Sequence, residues 1–212
     1  NTVLKTTNFR DIAYILNQTT GKRSLVMFDT KKNIHIPIEL LSDGVRNVIS
    51  LVMDILYRCC KINPQLRENA NQSKGIVLID EVDMHLHPEW QQTIIGELRS
   101  IFPNIQFIVT THSPQVLTTV EAESIRSIVY NEDTGKFEIQ IPQFTLGAKS
   151  NVVLKSVFNV EERPQTIDFV QQLNRYQELV NNDEWESEEA VELRKVLDKR
   201  GKNQESQLEK VE

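Results

Sequence analysis

Apolar residues fall into three regimes along the chain: short β-prone runs near the start, two unbroken runs in the middle, and helically spaced stripes toward the end. The first regime comprises Ile12 to Leu16, Ser24 to Phe28 and Ile34 to Ile38, separated by Gln18-Thr19-Thr20-Gly21-Lys22 and by Lys31-Lys32-Asn33. Such runs between turn-forming residues predict an antiparallel meander. The first of them stays open, because Phe9, Ile12, Tyr14 and Leu16 also fit a short helix.

A helix is expected from about Ser42, with Val45, Val48, Ile49, Val52, Leu56 and Cys59 on one stripe and Asp54 and Arg58 off it. Ser42 suits an N-cap, Asp43 suits the positive end of the helix dipole, and Gly44 lets another group approach the backbone closely. The N–H groups at this start fit either a simple capped core helix or an anion site. Pro64 and the polar run Arg67 to Lys74 predict a loop.

The two unbroken runs follow. Ile76 to Ile79 has no polar alternation, so as a strand it is expected to be covered on both faces, as in a parallel sheet. Asp80 and Glu81 leave its C-terminal end, where open α/β sheets place ligands. Pro88 suits a first helical position, and Trp90, Ile94, Leu98 and Ile101 share a face of the helix it opens. Phe102-Pro103-Asn104 ends that helix, and Ile105 to Thr110 is a second apolar strand, ending in Thr111-His112-Ser113-Pro114. The order strand, helix, strand predicts a right-handed crossover, which sets Thr111 and His112 beside Asp80 and Glu81.

Pro114 opens a short helical segment to Val120, and Ser127 to Tyr130 with Phe137 to Ile141 predict a hairpin around Asn131 to Lys136. Beyond Gly147 the pattern turns helical. Phe169, Leu173, Tyr176 and Val180 form one stripe and Ala190, Leu193 and Leu197 another, joined by the acidic Asn181 to Glu186. This is an αα-hairpin whose stripe needs a partner surface, followed by a polar tail from Gly201. Two regions are therefore expected, 1–146 and 147–212, in an α/β fold with a helical hairpin appended.

Composition narrows the functional classes. There are 24 basic and 30 acidic residues, a net charge of −6, which disfavours nucleic-acid binding by bulk electrostatics. The adjacent Cys59 and Cys60 lie in a helical pattern, where a buried thiol rather than a bridge is expected, in keeping with a reducing, cytoplasmic setting. No signal peptide is evident, and no apolar run approaches the roughly 20 residues that span a bilayer. The chain begins at Asn1 and holds no G-x-x-x-x-G-K-[ST] phosphate loop. Gly21-Lys22-Arg23-Ser24 fails that pattern, with Leu16 at the first glycine and Arg23 at the hydroxyl position, and reads as a hairpin turn.

Two adjacent acids after a buried strand suit nucleotide hydrolysis, in which the first orients Mg²⁺ and its waters and the second polarises the attacking water. Asp83, His85 and His87 with Asp80 also offer a set of divalent-metal ligands. Alternatively, His85-Leu86-His87-Pro88 is a tight connection whose side chains cap backbone groups. His112 fits a structural histidine or, beside the acids, a contact to a γ-phosphate.

In order and spacing these segments resemble an ABC-type ATPase head. Leu41-Ser42-Asp43-Gly44 resembles the signature motif and Ile76 to Glu81 the Walker B strand with its catalytic acid. Asp83 to Pro88 is similar to the D-loop region, and Thr111-His112-Ser113-Pro114 to the switch-histidine motif. The run Asp80 to Gln91, with Thr110 to Leu117, resembles the RecF-like and SMC-like group rather than membrane transporters. The PtuA-like ATPases of Septu and retron antiphage systems are most similar, including Arg163-Pro164 and the helical pair with Tyr176, Glu189, Ala190 and Leu193.

The resemblance covers the C-terminal half of such a head, without Walker A or the Q-loop, so a fragment of a longer chain is expected, inactive by itself. It implies a parallel sheet with flanking helices and an antiparallel meander. It assigns nucleotide binding to Ser42, Asp43, Gly44, Asp80, Asp83 and His87, with ATP as ligand and Mg²⁺ held by Asp80 through water. It assigns catalysis to Glu81 and His112. Ser42 and Gly44 would face the nucleotide of a partner head in a homodimer or larger homo-oligomer. Further implied partners are an HNH nuclease subunit (PtuB-like) and, in retron versions, a reverse transcriptase with its RNA–DNA product. The alternatives are a DNA-repair or DNA-clamping ATPase and an ATPase fused to its own nuclease, for which the stretch after Ser150 is too short.

Overall fold

A computed structural model describes residues 9–16, 21 and 23–201. The expected turn over 18–22, apart from Gly21, and the polar tail over 202–212 lie outside the described residues. Contacts divide the chain into two compact units, Asn1–Val157 and Phe158–Glu212.

The meander forms as an antiparallel sheet of β1 (Phe9–Leu16), β2 (Arg23–Asp29) and β3 (Ile34–Pro37), in that order. The open choice for the first run resolves to strand, because Ile12 packs with the buried Met27 and a bulge between Arg10 and Ile12 absorbs Asp11 in a left-handed conformation. Asp29, itself buried, turns the chain into β3 by accepting from the Lys31 and Lys32 amides at 2.9 and 3.1 Å.

Helix α1 (Asp43–Ile62) is the hinge between two cores. Its Val45 and Ile49 join Leu41 and Met27 over the meander, while Val48, Val52, Ile55 and Cys59 enter the main core with Leu98, Phe102 and Val116. Ile55 lies off the expected stripe, yet it is buried more deeply than Leu56. Cys59 is buried and unbridged, and Cys60 is exposed. The expected loop after Pro64 is wound into 3₁₀ turns over Pro64–Gln72, held to the core by Asn71 donating to the Ile101 carbonyl at 3.0 Å.

Strands β4 (Gly75–Ile79) and β5 (Ile105–Val109) pair in parallel, Ile79 opposite Val109. The expected single helix between them is two, α2 (Pro88–Gln91) and α3 (Ile94–Ile101). The Thr93 hydroxyl bonds back to the Trp90 carbonyl at 3.1 Å at the point where the helix breaks. The expectation that β4 is covered on both faces is not met within this chain. Val77, Ile79, Ile105, Phe107 and Val109 pack on the main core, but Ile76 is 62% and Leu78 77% exposed. The physical reason is that α1 and α3 contribute to one shared cluster, which covers one face of a two-stranded sheet.

After α4 (Pro114–Leu117), strands β6 (Ser127–Asn131) and β7 (Lys136–Gln140) form the expected hairpin, with Gly135 left-handed in its turn. Helix α5 (Ser150–Phe158) lies in the stretch beyond Gly147 where the pattern turns helical, ahead of the two expected stripes. In the second unit α6 (Asp168–Asn181) and α7 (Glu188–Gly201) supply each other's partner surface: Leu173, Tyr176 and Leu179 cluster with Ala190 and Leu197. The fold is thus mixed α/β, with a parallel pair, antiparallel strands and helices. No helix among the described residues is long and apolar enough to cross a membrane.

Candidate functional site

The strand pairing puts the ends of β4 and β5 side by side, and polar residues begin on both at the same level. Their connection is made by threonine hydroxyls. Thr110 donates to the Asp80 carboxylate through its hydroxyl and accepts from the Glu81 amide at 2.8 Å. Thr111 donates to the Asp83 carboxylate and accepts from the Ser113 amide at 3.0 Å. Backbone bonds extend the link, Thr110 N–H to the Ile79 carbonyl and Val82 N–H to the Thr110 carbonyl, both 3.0 Å. Asp80 and Asp83 are therefore oriented by the neighbouring strand end.

That loop is a sequence of tight turns. Met84 N–H reaches the Glu81 carbonyl at 2.9 Å and Leu86 N–H the Asp83 carbonyl at 3.0 Å. Val82 and Leu86 point into the main core, whereas Asp80, Glu81 and His85 are exposed. Glu81 and His85 hold positive φ, 49° and 62°, a conformation that non-glycine residues keep only where the surroundings over-determine it. The buried residue that follows each, Val82 after Glu81 and Leu86 after His85, supplies that constraint.

Four expected site residues, Asp80, Glu81, Asp83 and His112, are thus carried by adjoining strand-end loops. His112 itself is exposed, between Thr111 and the buried Ser113. His87 caps α2, its Nδ1 accepting from the Glu89 amide at 3.4 Å. Among the described residues no three His, Cys, Asp or Glu side chains converge as metal ligands, so the alternative ligand set of Asp83, His85 and His87 with Asp80 is not assembled. Asp80 by itself suits Mg²⁺ of the kind held by one or two carboxylates, waters and substrate phosphates, since it is exposed and oriented by Thr110.

Ser42 and Asp43 stand at the start of α1, Asp43 exposed and Gly44 buried. Ser42 is the N-cap residue by backbone conformation, but its side chain makes no capping bond. Asp43 is paired with Arg46 one turn on. Gly44 meets the strand-end loop: a Cβ there would stand 2.6 Å from the His85 carbonyl oxygen.

Sequence reasoning places Thr110 and Thr111 at the strand end but does not single them out as the groups that orient the acids. Two consecutive hydroxyl residues opposite an acid pair are the available signal. Gln91 is missed as well. Its amide donates to the Leu86 carbonyl at 3.0 Å and accepts from the Ser113 hydroxyl at 2.8 Å, joining the two loops a second time.

A protein family described as "AAA domain, putative AbiEii toxin, Type IV TA system" matches residues 4–118, more than half of the chain and all of this loop system. The chain belongs to that family. Among curated relatives of this AAA domain, "Retron Ec83 probable ATPase" of Escherichia coli is 39% identical over 167 residues, covering 79% of this chain and 30% of the relative. "Retron Vc95 probable ATPase" of Vibrio cholerae is 40% identical over 168 residues, with coverage of 78% and 32%. "Septu protein PtuA" of Bacillus mycoides is 31% identical over 172 residues, with coverage of 80% and 23%. The AAA-domain chain therefore spans about a third or less of the length of these relatives.

Proposed function

We propose that this chain is the signature-bearing and Walker B-bearing part of an ATPase of an antiphage defence system of the retron or Septu type. The observation that carries the reading is the pair of hydroxyl–carboxylate contacts, Thr110 to Asp80 and Thr111 to Asp83, which hold two acids and the Glu81 backbone at one strand end. Family membership and the named retron and Septu relatives support the same assignment.

In this reading Asp80 holds Mg²⁺ through water, and the ion supplies positive charge to the phosphate oxygens. Glu81, adjacent in sequence but on left-handed backbone, is aimed differently from Asp80 and orients the attacking water. His112 contacts the γ-phosphate from the end of β5. Asp83, held beside Thr111, and His87, at the start of α2, complete the nucleotide-binding set on the same loop. The start of α1, with Ser42, Asp43 and Gly44, faces the nucleotide of a second head, so hydrolysis is tied to head dimerisation. That dimerisation controls an associated HNH nuclease, with a reverse transcriptase and its RNA–DNA product in retron assemblies. The runner-up, a DNA-clamping ATPase, differs in requiring ATP-dependent DNA retention without a nuclease subunit.

The test is Glu81→Gln in the full-length protein. Turnover should fall by about 10²–10⁴-fold, the usual contribution of a positioned acid–base group, while ATP binding and the ATP-dependent dimer persist. Unchanged turnover removes Glu81 from this role. Retention of DNA with no co-purifying nuclease would favour the runner-up.

A further inference from the structure

The contact between Gly44 and the His85 carbonyl joins two parts of the site that the proposed function assigns to different nucleotides. Gly44 is the second residue of α1, buried where the helix start meets the strand-end loop. A Cβ at this position would lie 2.6 Å from the His85 oxygen, 3.5 Å from its carbonyl carbon and 3.6 Å from the Leu86 Cα. All three neighbours are backbone, so no flexible side chain can swing away to make room.

The loop is equally unable to yield. His85 is in the left-handed region at φ 62°, and the turn around it is closed by Leu86 N–H to the Asp83 carbonyl at 3.0 Å. Leu86 is buried in the main core and its carbonyl is held by Gln91. On the other side α1 is fixed by Val45 and Ile49 over the meander and by Val48 and Val52 in the main core. Two anchored backbones thus meet through a glycine.

We infer that Gly44 is a positioning residue for its own chain's acids: through the His85 carbonyl, the start of α1 sets the turn that carries Glu81 and Asp83. The site of one nucleotide is thereby mechanically continuous with the surface presented to the other. Any displacement of the α1 start is transmitted to residues 81–86, because the seam contains no compressible side chain. This inference rests on the ATPase reading for its catalytic consequence but not for its structural one.

Gly44→Ala in the full-length protein tests both. Hydrogen exchange without nucleotide should speed up at Val82, Met84 and Leu86, whose amides bond to Thr110, Glu81 and Asp83. Ile55→Val, farther along the same helix, should not produce that local pattern. Steady-state turnover should show kcat reduced by about 10-fold or more with KM for ATP unchanged, since misplacing a reacting group by 1 Å costs about 10²-fold. His85→Gly, which lets that backbone move without left-handed strain, should restore part of the loss in the double variant. Unchanged exchange at Val82 to Leu86 in Gly44→Ala overturns the seam, and a fall in turnover without it would place the role of Gly44 at the partner's nucleotide instead. If Gly44→Ala is insoluble, recovery of folded protein on adding His85→Gly supports the seam and failure to recover overturns it. If the wild-type protein does not turn over ATP, the proposed function fails while the exchange result still decides the seam.

Discussion

The parallel pair β4–β5 and the helical hairpin α6–α7 both carry apolar runs or stripes and dispose of them in opposite ways. In the hairpin each stripe is the other's cover, and Leu173, Ala190 and Leu197 are completely buried. In the parallel pair one face is sealed against α1 and α3 while the other presents Ile76, Leu78 and Ile108, 62%, 77% and 51% exposed. A hydrophobic residue stabilises only by the area it removes from water, so the two regions differ sharply in what their side chains contribute. Within this chain the loop of the candidate site hangs from the half-covered region, where Val82 and Leu86 enter one core and Thr110 and Thr111 supply polar contacts.

The largest effect that would break this contrast is in the core beneath the loop. Phe102 is fully buried between α3 and β5 and contacts Phe107, ring centroids 6.3 Å apart. Phe102→Ala should destabilise the first unit by about 3–5 kcal/mol, the usual cost of emptying an aromatic site. Urea unfolding followed by hydrogen exchange should show protection lost in β4, β5 and α3 and largely kept in α6 and α7. Equal loss in both units would mean that the two regions do not differ in the way their burial suggests.

Much of this division is legible in the amino-acid sequence. The unbroken run Ile76 to Ile79, the second run Ile105 to Thr110 and the helical pattern between them point to a parallel pair with its polar ends together, because a helical crossover returns the chain to the same edge. The stripes of α6 and α7 are equally plain, since an acidic link of a few residues makes the helices antiparallel neighbours. Which face of a uniformly apolar strand is covered is not legible. A run such as Ile76-Val77-Leu78-Ile79 carries no alternation to distinguish Val77 from Leu78, and the placement of α1 and α3 decides it. The break at Thr93 is hidden for another reason, as the apolar spacing of Trp90, Ile94 and Leu98 continues across it. In the site, residue types and spacing locate the acids and the histidine. The left-handed backbone of Glu81 and His85, and the meeting of Gly44 with a carbonyl, are tertiary consequences that no side-chain pattern encodes.

A smaller effect sharpens the comparison from the exposed side. Leu78→Ser in this 212-residue chain should change stability by no more than about 0.5 kcal/mol, as for surface sites in general, because little apolar area is lost from burial. Its neighbour Val77 packs on the main core, and Val77→Ser should cost several times more. Comparable denaturation midpoints for the two variants would contradict the one-sided burial of β4.

The smallest effect belongs to the hairpin and depends on pH. Arg175 reaches Glu189 across the two helices with a forked pair of bonds, 2.8 and 3.0 Å, and also approaches Glu178. The hydrogen bonds from Arg175 hold the Glu189 carboxyl below its ordinary range; desolvation opposes this, and the guanidinium charge adds to the lowering. A carboxyl whose folded value is depressed contributes stability fully above its unfolded value and loses it as pH falls through the folded one. The hairpin should therefore keep this contribution at neutral pH and lose it on acidification through and below the usual carboxylate range. Both partners are about half exposed, so the contribution is small and fades with added salt. Glu189→Gln should flatten that part of the acid limb when exchange protection of α6 and α7 is followed against pH, with the core of the first unit as internal reference. An acid limb of the same steepness in the variant would assign the pH dependence of the hairpin to another of its ion pairs, of which Arg200–Asp168, at 2.7 Å, is the next to test.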